Sequence, residues 1–220
     1  MQFGKVCEKD VPALASLWRE AFREDGEKLV PWLRQIGTGF CCKDGDALRA
    51  MAFALPYAVA SEGNILDGRY LYGVATAAAY RRQGIASRLL EYAEQELAAE
   101  GADGLLLVPA GDELRRFYAK RGFRDWSVNS SYSVEGETPC GAEEYLRLRE
   151  GFLACSAHIF PPEELMARCT FYKRKFGCRA VLFGKTAELL PVGEGDLYAM
   201  AKPLTEKFPG RGFFSFAMDE

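Results

Sequence analysis

Apolar side chains at Ile85, Ala86, Leu89, Leu90, Ala93 and Leu97 recur every three or four residues, with Arg88, Glu91, Glu94, Gln95 and Glu100 between them. This spacing predicts an amphipathic helix closed by Gly101. Just upstream, Tyr70-Leu71-Tyr72-Gly73-Val74-Ala75-Thr76 is rich in aromatic and β-branched residues and predicts a strand buried on both faces. After the helix, Leu105-Leu106-Leu107-Val108-Pro109 predicts a short strand. Asp112 to Gly122 then predicts a short helix with Asp112 as its N-cap and Gly122 as its stop.

Further on, Thr138-Pro139-Cys140 reads as a break. Two helical stretches follow, Glu143 to Ala154 and Pro162 to Lys175, the second entered through Pro161-Pro162. Four short apolar runs, Arg179 to Phe183, Ala187 to Val192, Leu197 to Ala201 and Phe213 to Ala217, predict a strand-rich tail. The expected organisation is therefore a domain over 1–135 and a C-terminal α+β extension over 136–220. The extension is either a small subdomain or a continuation of the main sheet, and both stay open. Cleavage near Gly136 into two folded halves is the observation that would separate them.

The segment Arg81-Arg82-Gln83-Gly84-Ile85-Ala86 lies at the turn between the predicted strand and the long helix. A glycine there lets the backbone approach a ligand, and the first-turn N–H groups of a helix have no intrahelical acceptor and favour an anion. Arg81 and Arg82 add charge where phosphates would lie. The pattern points to the pyrophosphate of a nucleotide-tailed cofactor; the plainer alternative is a solvated basic turn capping an ordinary helix.

Tyr80-Arg81-Arg82-Gln83-Gly84-Ile85-Ala86 and Phe117-Tyr118-Ala119-Lys120-Arg121-Gly122-Phe123 resemble the two signatures of the GNAT superfamily of acyl-CoA-dependent N-acetyltransferases. The resemblance is specific over residues 70–123 and lapses past about Ser133. By element order it extends to the N-terminus, implying two early helices, Val11 to Glu24 and Glu27 to Ile36, and an early strand, Leu48 to Ala60. It implies an α/β fold with a GNAT-like mixed central sheet flanked by helices. It also implies acetyl transfer from acetyl-CoA, as cosubstrate, to a primary amine by direct attack in a ternary complex. The cofactor would lie along Val74, Ala75 and Thr76 and in the cradle Arg81, Arg82, Gln83, Gly84, Ile85, Ala86 and Ser87. Two positions depart from the family pattern: Pro109-Ala110-Gly111 replaces a stretch that often carries asparagine, and Ala77-Ala78-Ala79 lacks the usual proline.

Such a reaction needs a neutral amine, a donor for the oxyanion and a proton for the departing thiolate. The resemblance assigns the donor to the backbone N–H near Val74 and the general acid to Tyr118, whose ordinary pKa near 10 keeps it protonated at neutral pH. A tyrosine packed in the core beside Phe117 is the plainer alternative. No base is singled out. Tyr70 to Thr76 holds no carboxylate, and Asp67, Glu62, Asp219, Glu220 and a water path all remain. Trp18, Phe22 and Trp32 lie where relatives line the acceptor cleft, and Glu20, Glu24, Asp25 and Glu27 would suit a cationic amine. A core role for the aromatics and a solvated acidic face are favoured. A small-molecule or peptide amine is the expected acceptor.

Composition narrows the class. Twenty-eight basic and 31 acidic side chains in 220 residues, net charge −3, argue against nucleic-acid binding by bulk electrostatics. No apolar run is long enough to span a bilayer, and the N-terminus has no signal-peptide core, so a cytoplasmic location without membrane attachment is expected. Seven cysteines without C-x-x-C pairing read as reduced thiols, and no metal site is expected. His158 is the sole histidine and no nucleophile elbow accompanies it, which sets hydrolase triads aside. The alternatives to an enzyme are a non-catalytic acyl-CoA-binding regulatory module and an α/β interaction domain with no cofactor. A homodimer through the C-terminal strands is compatible with the sequence, and nothing requires it.

Overall fold

The computed structural model describes residues 1–129, 135–153, 156–160, 162–166, 171–176, 179–183, 196–212 and 214. The chain forms two compact units, Met1–Pro56 with Asp67–Leu107, and Tyr57–Leu66 with Val108–Glu220.

In the first unit the elements follow as β1 (Gln2–Lys5), α1 (Val11–Phe22), α2 (Gly26–Ile36), β2 (Thr38–Asp44), β3 (Ala47–Ser61), β4 (Asn64–Thr76), α3 (Ile85–Ala99) and β5 (Gly104–Leu107), except that the hairpin end of β3 and β4, Tyr57–Leu66, belongs to the second unit. The strand order is β1-β2-β3-β4-β5. The β1–β2 and β2–β3 pairs are antiparallel and β4–β5 is parallel, which makes the sheet mixed. The parallel pair is joined through α3, as a parallel connection requires. Glu62-Gly63 joins β3 to β4 with left-handed φ at both residues (51° and 77°), the signature of a tight hairpin turn.

Hydrophobic burial explains the order of elements. Ala50 to Leu55 of β3 are completely buried, along with Leu14 and Trp18 of α1, Val30 and Leu33 of α2, and Leu105 to Leu107 of β5. On α3 the predicted apolar stripe is the core face: Ile85, Leu89, Leu90, Ala93 and Leu97 are buried, and Ala86 is half-buried. Asp10 is buried at the start of α1. It accepts the Cys7 N–H (3.0 Å) and thiol (3.1 Å) on one oxygen and Lys43 Nζ (2.5 Å) on the other, tying the helix to β2.

Three expectations change in this unit. α1 stops at Phe22, not Glu24, because Arg23 turns left-handed (φ 61°). The strand predicted at Tyr70 begins at Asn64, and β1 and β2 are additional. The strand is not buried on both faces to its end: Tyr72, Gly73, Val74 and Thr76 are half-buried. The reason is topological. The register with β5 covers Gly68 to Tyr70, and β4 continues six residues beyond it.

The second unit contains α4 (Asp112–Ala119), β6 (Arg124–Asp125), β7 (Val128–Asn129), β8 (Glu135–Cys140), α5 (Ala142–Leu153), β9 (His158–Phe160), α6 (Glu163–Met166), β10 (Phe171–Phe176), β11 (Arg179–Phe183), β12 (Asp196–Leu197) and β13 (Met200–Pro203). β8, β10 and β11 form a three-stranded antiparallel sheet, β7 pairs with β12, β6 with β13, and β9 with Ala58 to Ala60 at the end of β3. The predicted helix Glu143 to Ala154 is α5. The helix predicted over Pro162 to Lys175 is instead the four-residue α6 and the strand β10, whose Phe-Tyr-Lys-Arg-Lys-Phe sequence pairs on both edges. The predicted break at Thr138-Pro139-Cys140 lies within β8. The run Leu197 to Ala201 is divided between β12 and β13. The run Ala187 to Val192 and all of Phe213 to Ala217 except Phe214 lie outside the described residues. Among the described residues no helix is long and apolar enough to cross a membrane.

Candidate active site

β4 carries a glycine in a conformation that a strand residue rarely takes. Gly73 has φ 61°, which interrupts the pleat one residue before Val74. A Cβ on Gly73 would lie 2.9 Å from Trp18 Cη2 and closer still to Cζ3, so backbone and ring both exclude any other residue. Tyr70 and Tyr72 pack along the same strand (5.9 Å between ring centroids). At the strand's end the Thr76 carbonyl accepts Arg81 Nε (3.1 Å), while the Thr76 hydroxyl is buried with no hydrogen-bond partner among the described residues.

Between β4 and α3 the chain makes a short 3-10 turn over Ala78–Tyr80 and then the segment Arg81 to Gly84, all four residues of which are exposed. φ is 62° at Arg82 and 74° at Gly84, while Gln83 between them is not left-handed. Alternation of this kind turns successive N–H groups toward one side and builds an anion-binding concavity. Gly84 is the N-cap of α3, with no side-chain cap and with open space where a Cβ would stand. The fifteen-residue helix thus presents the positive end of its dipole beside that concavity. The glycine is needed for its φ; no protein atom crowds it.

The turn is braced from three directions. Arg49 of β3 accepts the Ala77 N–H on its carbonyl (2.9 Å) and lays its guanidinium 4.0 Å over the Tyr80 ring. Glu20 of α1 accepts the Ala78 N–H (2.6 Å), and Gln83 Nε2 donates to the Ala79 carbonyl (3.3 Å). Of the two predicted phosphate arginines, Arg81 is turned back onto Thr76, whereas Arg82 makes no ion pair among the described residues. Sequence reading missed Arg49 and the roles of Trp18 and Glu20. Their partners lie 28 to 58 positions away, and no local pattern marks them.

The other acids of α1 and α2 are occupied as well. Glu24 accepts Trp18 Nε1 (3.3 Å), Asp25 caps α2 by accepting the Glu27 N–H (2.9 Å), and Glu27 pairs with Arg19 (2.9 Å). Phe22 is exposed, and Trp18 is core. Among the candidate bases, Asp67 accepts both Nε and Nη of Arg69 at 2.7 Å. Glu62 lies in the β3–β4 turn, at the other end of β4 from Thr76. Asp219 and Glu220 lie outside the described residues.

In the second unit Tyr118 is buried on α4, edge-on to Phe117 (5.1 Å) and Phe123 (5.7 Å). Its hydroxyl has no hydrogen-bond partner among the described residues, and burial pushes its pKa up to about 12 against a smaller opposing effect of Arg121. Asp112 proves to be the first residue of α4 and not its N-cap, a position that Gly111 takes without a side-chain cap. Gly122 ends the turn as predicted, where Phe123 N–H returns to the Tyr118 carbonyl (3.3 Å).

His158 is buried with both ring nitrogens engaged, Nδ1 with the Ser156 carbonyl and Nε2 with Glu150, each at 2.7 Å. Burial opposes the ionisation of Glu150, but the His158 hydrogen bond and the Arg149 charge outweigh it and hold the carboxyl below its usual range. A histidine so engaged packs α5 against β9 and has no nitrogen left for other chemistry. Cys7, Cys41 and Cys42 are free thiols; Cys155, Cys169 and Cys178 lie outside the described residues.

The acetyltransferase (GNAT) domain model matches residues 3–125, more than half of the chain. No curated protein matches the sequence. Among solved structures, a probable N-acyltransferase from Enterococcus faecalis V583 is similar with a TM-score of 0.68 and 12% identity, over 92% of this chain and 72% of its own. A GCN5-related N-acetyltransferase from Kribbella flavida gives 0.61 and 17%, over 84% of this chain and 54% of its own, so this chain spans about half that protein. The ribosomal-protein-S18-alanine N-acetyltransferase from Escherichia coli gives 0.54 and 16%, over 94% and 98%. These likenesses agree on the fold of a mixed sheet flanked by helices. With β4, its left-handed glycine and the cradle in the matched region, the chain belongs to the GNAT acetyltransferase family.

Proposed function

We propose that the protein is an N-acetyltransferase that moves an acetyl group from acetyl-CoA to a primary amine by direct attack within a ternary complex. The observation that carries this reading is the cradle at Arg82 to Gly84, where alternating backbone handedness meets the uncapped start of α3. Its residues fit a pyrophosphate: exposed, basic at Arg82, lined by backbone donors and open where a side chain would intrude.

In this reading Val74, Ala75 and Thr76 hold the pantetheine arm and the Val74 N–H polarises the thioester carbonyl. Arg81, Arg82, Gln83, Gly84, Ile85, Ala86 and Ser87 form the phosphate site. The stretch of β4 beyond its register with β5 supports an extended ligand lying along the strand. The amine nitrogen bonds to the carbonyl carbon, the tetrahedral intermediate collapses, the carbon–sulfur bond breaks, and the amine's proton leaves to base or water.

Tyr118 is the proposed donor to the departing sulfur. A pKa of about 12 keeps its proton in place at neutral pH. Full transfer to a thiolate of ordinary pKa near 8.5 would be uphill by about 3.5 units, so the role is hydrogen-bond donation during cleavage of the bond. A lysine-like amine of pKa near 10.4 is about 0.04% neutral at pH 7, which calls for a base or a water path. The engaged state of Asp67, Glu20, Glu24 and Glu27 favours water. The acceptor is a small-molecule or peptide amine, the latter being the class named for the E. coli relative. A cytoplasmic location, expected from the sequence, is part of the same reading.

The test is a panel of amines incubated with acetyl-CoA, with acetylated product read by mass spectrometry and Tyr118→Phe as control. Product formed by the wild type and strongly reduced in the variant supports the reading. Tight acetyl-CoA binding without product from any amine would favour a non-catalytic acyl-CoA-binding module instead.

A further inference from the structure

Trp18 is buried at 1% exposure, and its indole is fixed on several sides. Phe22 lies 4.5 Å, Tyr72 5.7 Å and Phe53 6.4 Å from it between ring centroids, and Nε1 donates to Glu24. The atoms that occupy the space beside Gly73 are Cζ3, Cη2 and Cε3, all of the six-membered ring. An ordinary core aromatic meets side chains on the face of a sheet. This one meets main chain, at a residue whose φ only glycine adopts readily. A change of torsion at one residue redirects the peptide group that follows it, and the N–H that follows Gly73 is that of Val74.

We propose that Trp18 is a positioning residue for acyl transfer, its six-membered ring holding the left-handed backbone of β4 at Gly73 and thereby aiming the Val74 N–H. The inference rests on the reading above in which that N–H polarises the thioester carbonyl. The same helix also holds the loop that follows β4, through Glu20 and the Ala78 N–H. α1 therefore contacts both ends of the segment that runs from Gly73 to the turn before the cradle.

Trp18→Phe retains most of the buried volume but withdraws the six-membered ring and loses the Nε1 donor. The proposal expects this variant to fold and to bind acetyl-CoA within about threefold of wild type, because the cradle is intact, while kcat falls about tenfold or more. The Gly73 and Val74 amide signals in a ¹H–¹⁵N spectrum should move more than those of Gln83 to Ala86. Leu33→Ala, an equally buried core loss on α2, serves as the comparison: it should lower the melting temperature without this kcat effect. A folded Trp18→Phe protein with kcat within about twofold of wild type, or with a loss no larger than that of Leu33→Ala, overturns the proposal. So do unmoved Gly73 and Val74 amides. The amide readout needs no turnover, so if wild type neither binds nor transfers, the acyl-transfer reading has failed, and displaced amides would leave only the geometric part of this inference standing.

Discussion

The carboxylate of Glu20, on α1, accepts the backbone N–H of Ala78 at 2.6 Å, three residues before the cradle begins. A charged acceptor on a loop amide holds the 3-10 turn at a fixed height relative to α1. Glu20→Ala should weaken acetyl-CoA binding about three- to tenfold and lower stability by about 1 kcal/mol, read by calorimetric titration and urea unfolding. Glu20→Gln keeps an acceptor oxygen and should recover most of both. An alanine variant that binds like wild type would show that the turn holds itself.

Gly73→Ala tests the left-handed backbone of β4. The new methyl meets the Trp18 ring and must also adopt a left-handed φ. Overpacking and strain together should cost about 2–4 kcal/mol. A neutral effect in urea unfolding would mean that β4 can relax at Gly73.

Tyr118→Phe preserves the ring against Phe117 and Phe123 and removes a hydroxyl that no described residue bonds. The melting temperature should change little while kcat falls about 100-fold. Unchanged turnover would remove Tyr118 from the mechanism.

Alkaline stability follows from two buried acids. Burial raises Cys41 from 9.0 to about 11 and Tyr118 from 10.0 to about 12. The folded state keeps protons that the unfolded state releases, so this stability is complete below pH 9. It is lost as pH rises from 9 toward 12, about 2–3 kcal/mol for each group at the upper end. Urea midpoints measured from pH 8 to 11 should fall, and Tyr118→Phe should flatten the decline above pH 10. A midpoint that does not change with pH would contradict the burial of both groups.

Much of the first unit is legible in the sequence because its signals are local. Each step of the spacing from Ile85 to Leu97, and the glycine at 84 beside it, is read within about one helical turn, and the structure places them as expected. Gly73 is different. Glycine within an aromatic-rich strand looks the same whether or not its φ is positive, and the ring that crowds it lies 55 positions earlier. Acids 20, 24, 25 and 27 read as a solvated face and are exposed, but the protein partner that each carboxylate also has is not legible in the sequence. In the second unit, Pro161-Pro162-Glu163-Glu164 is a good helix start, and it led to a helix carried too far. Phe171 to Phe176 is rich in aromatics and takes its conformation from the neighbouring strands β8 and β11.

The most direct measurement is a calorimetric titration of acetyl-CoA into the wild-type protein and into Gly84→Glu, which puts a bulky negative charge and a strained φ at the cradle. Saturable binding to wild type, lost in a variant that remains folded, is the expected result. Absence of binding to wild type, or equal binding to both, would contradict the cradle as the cofactor site.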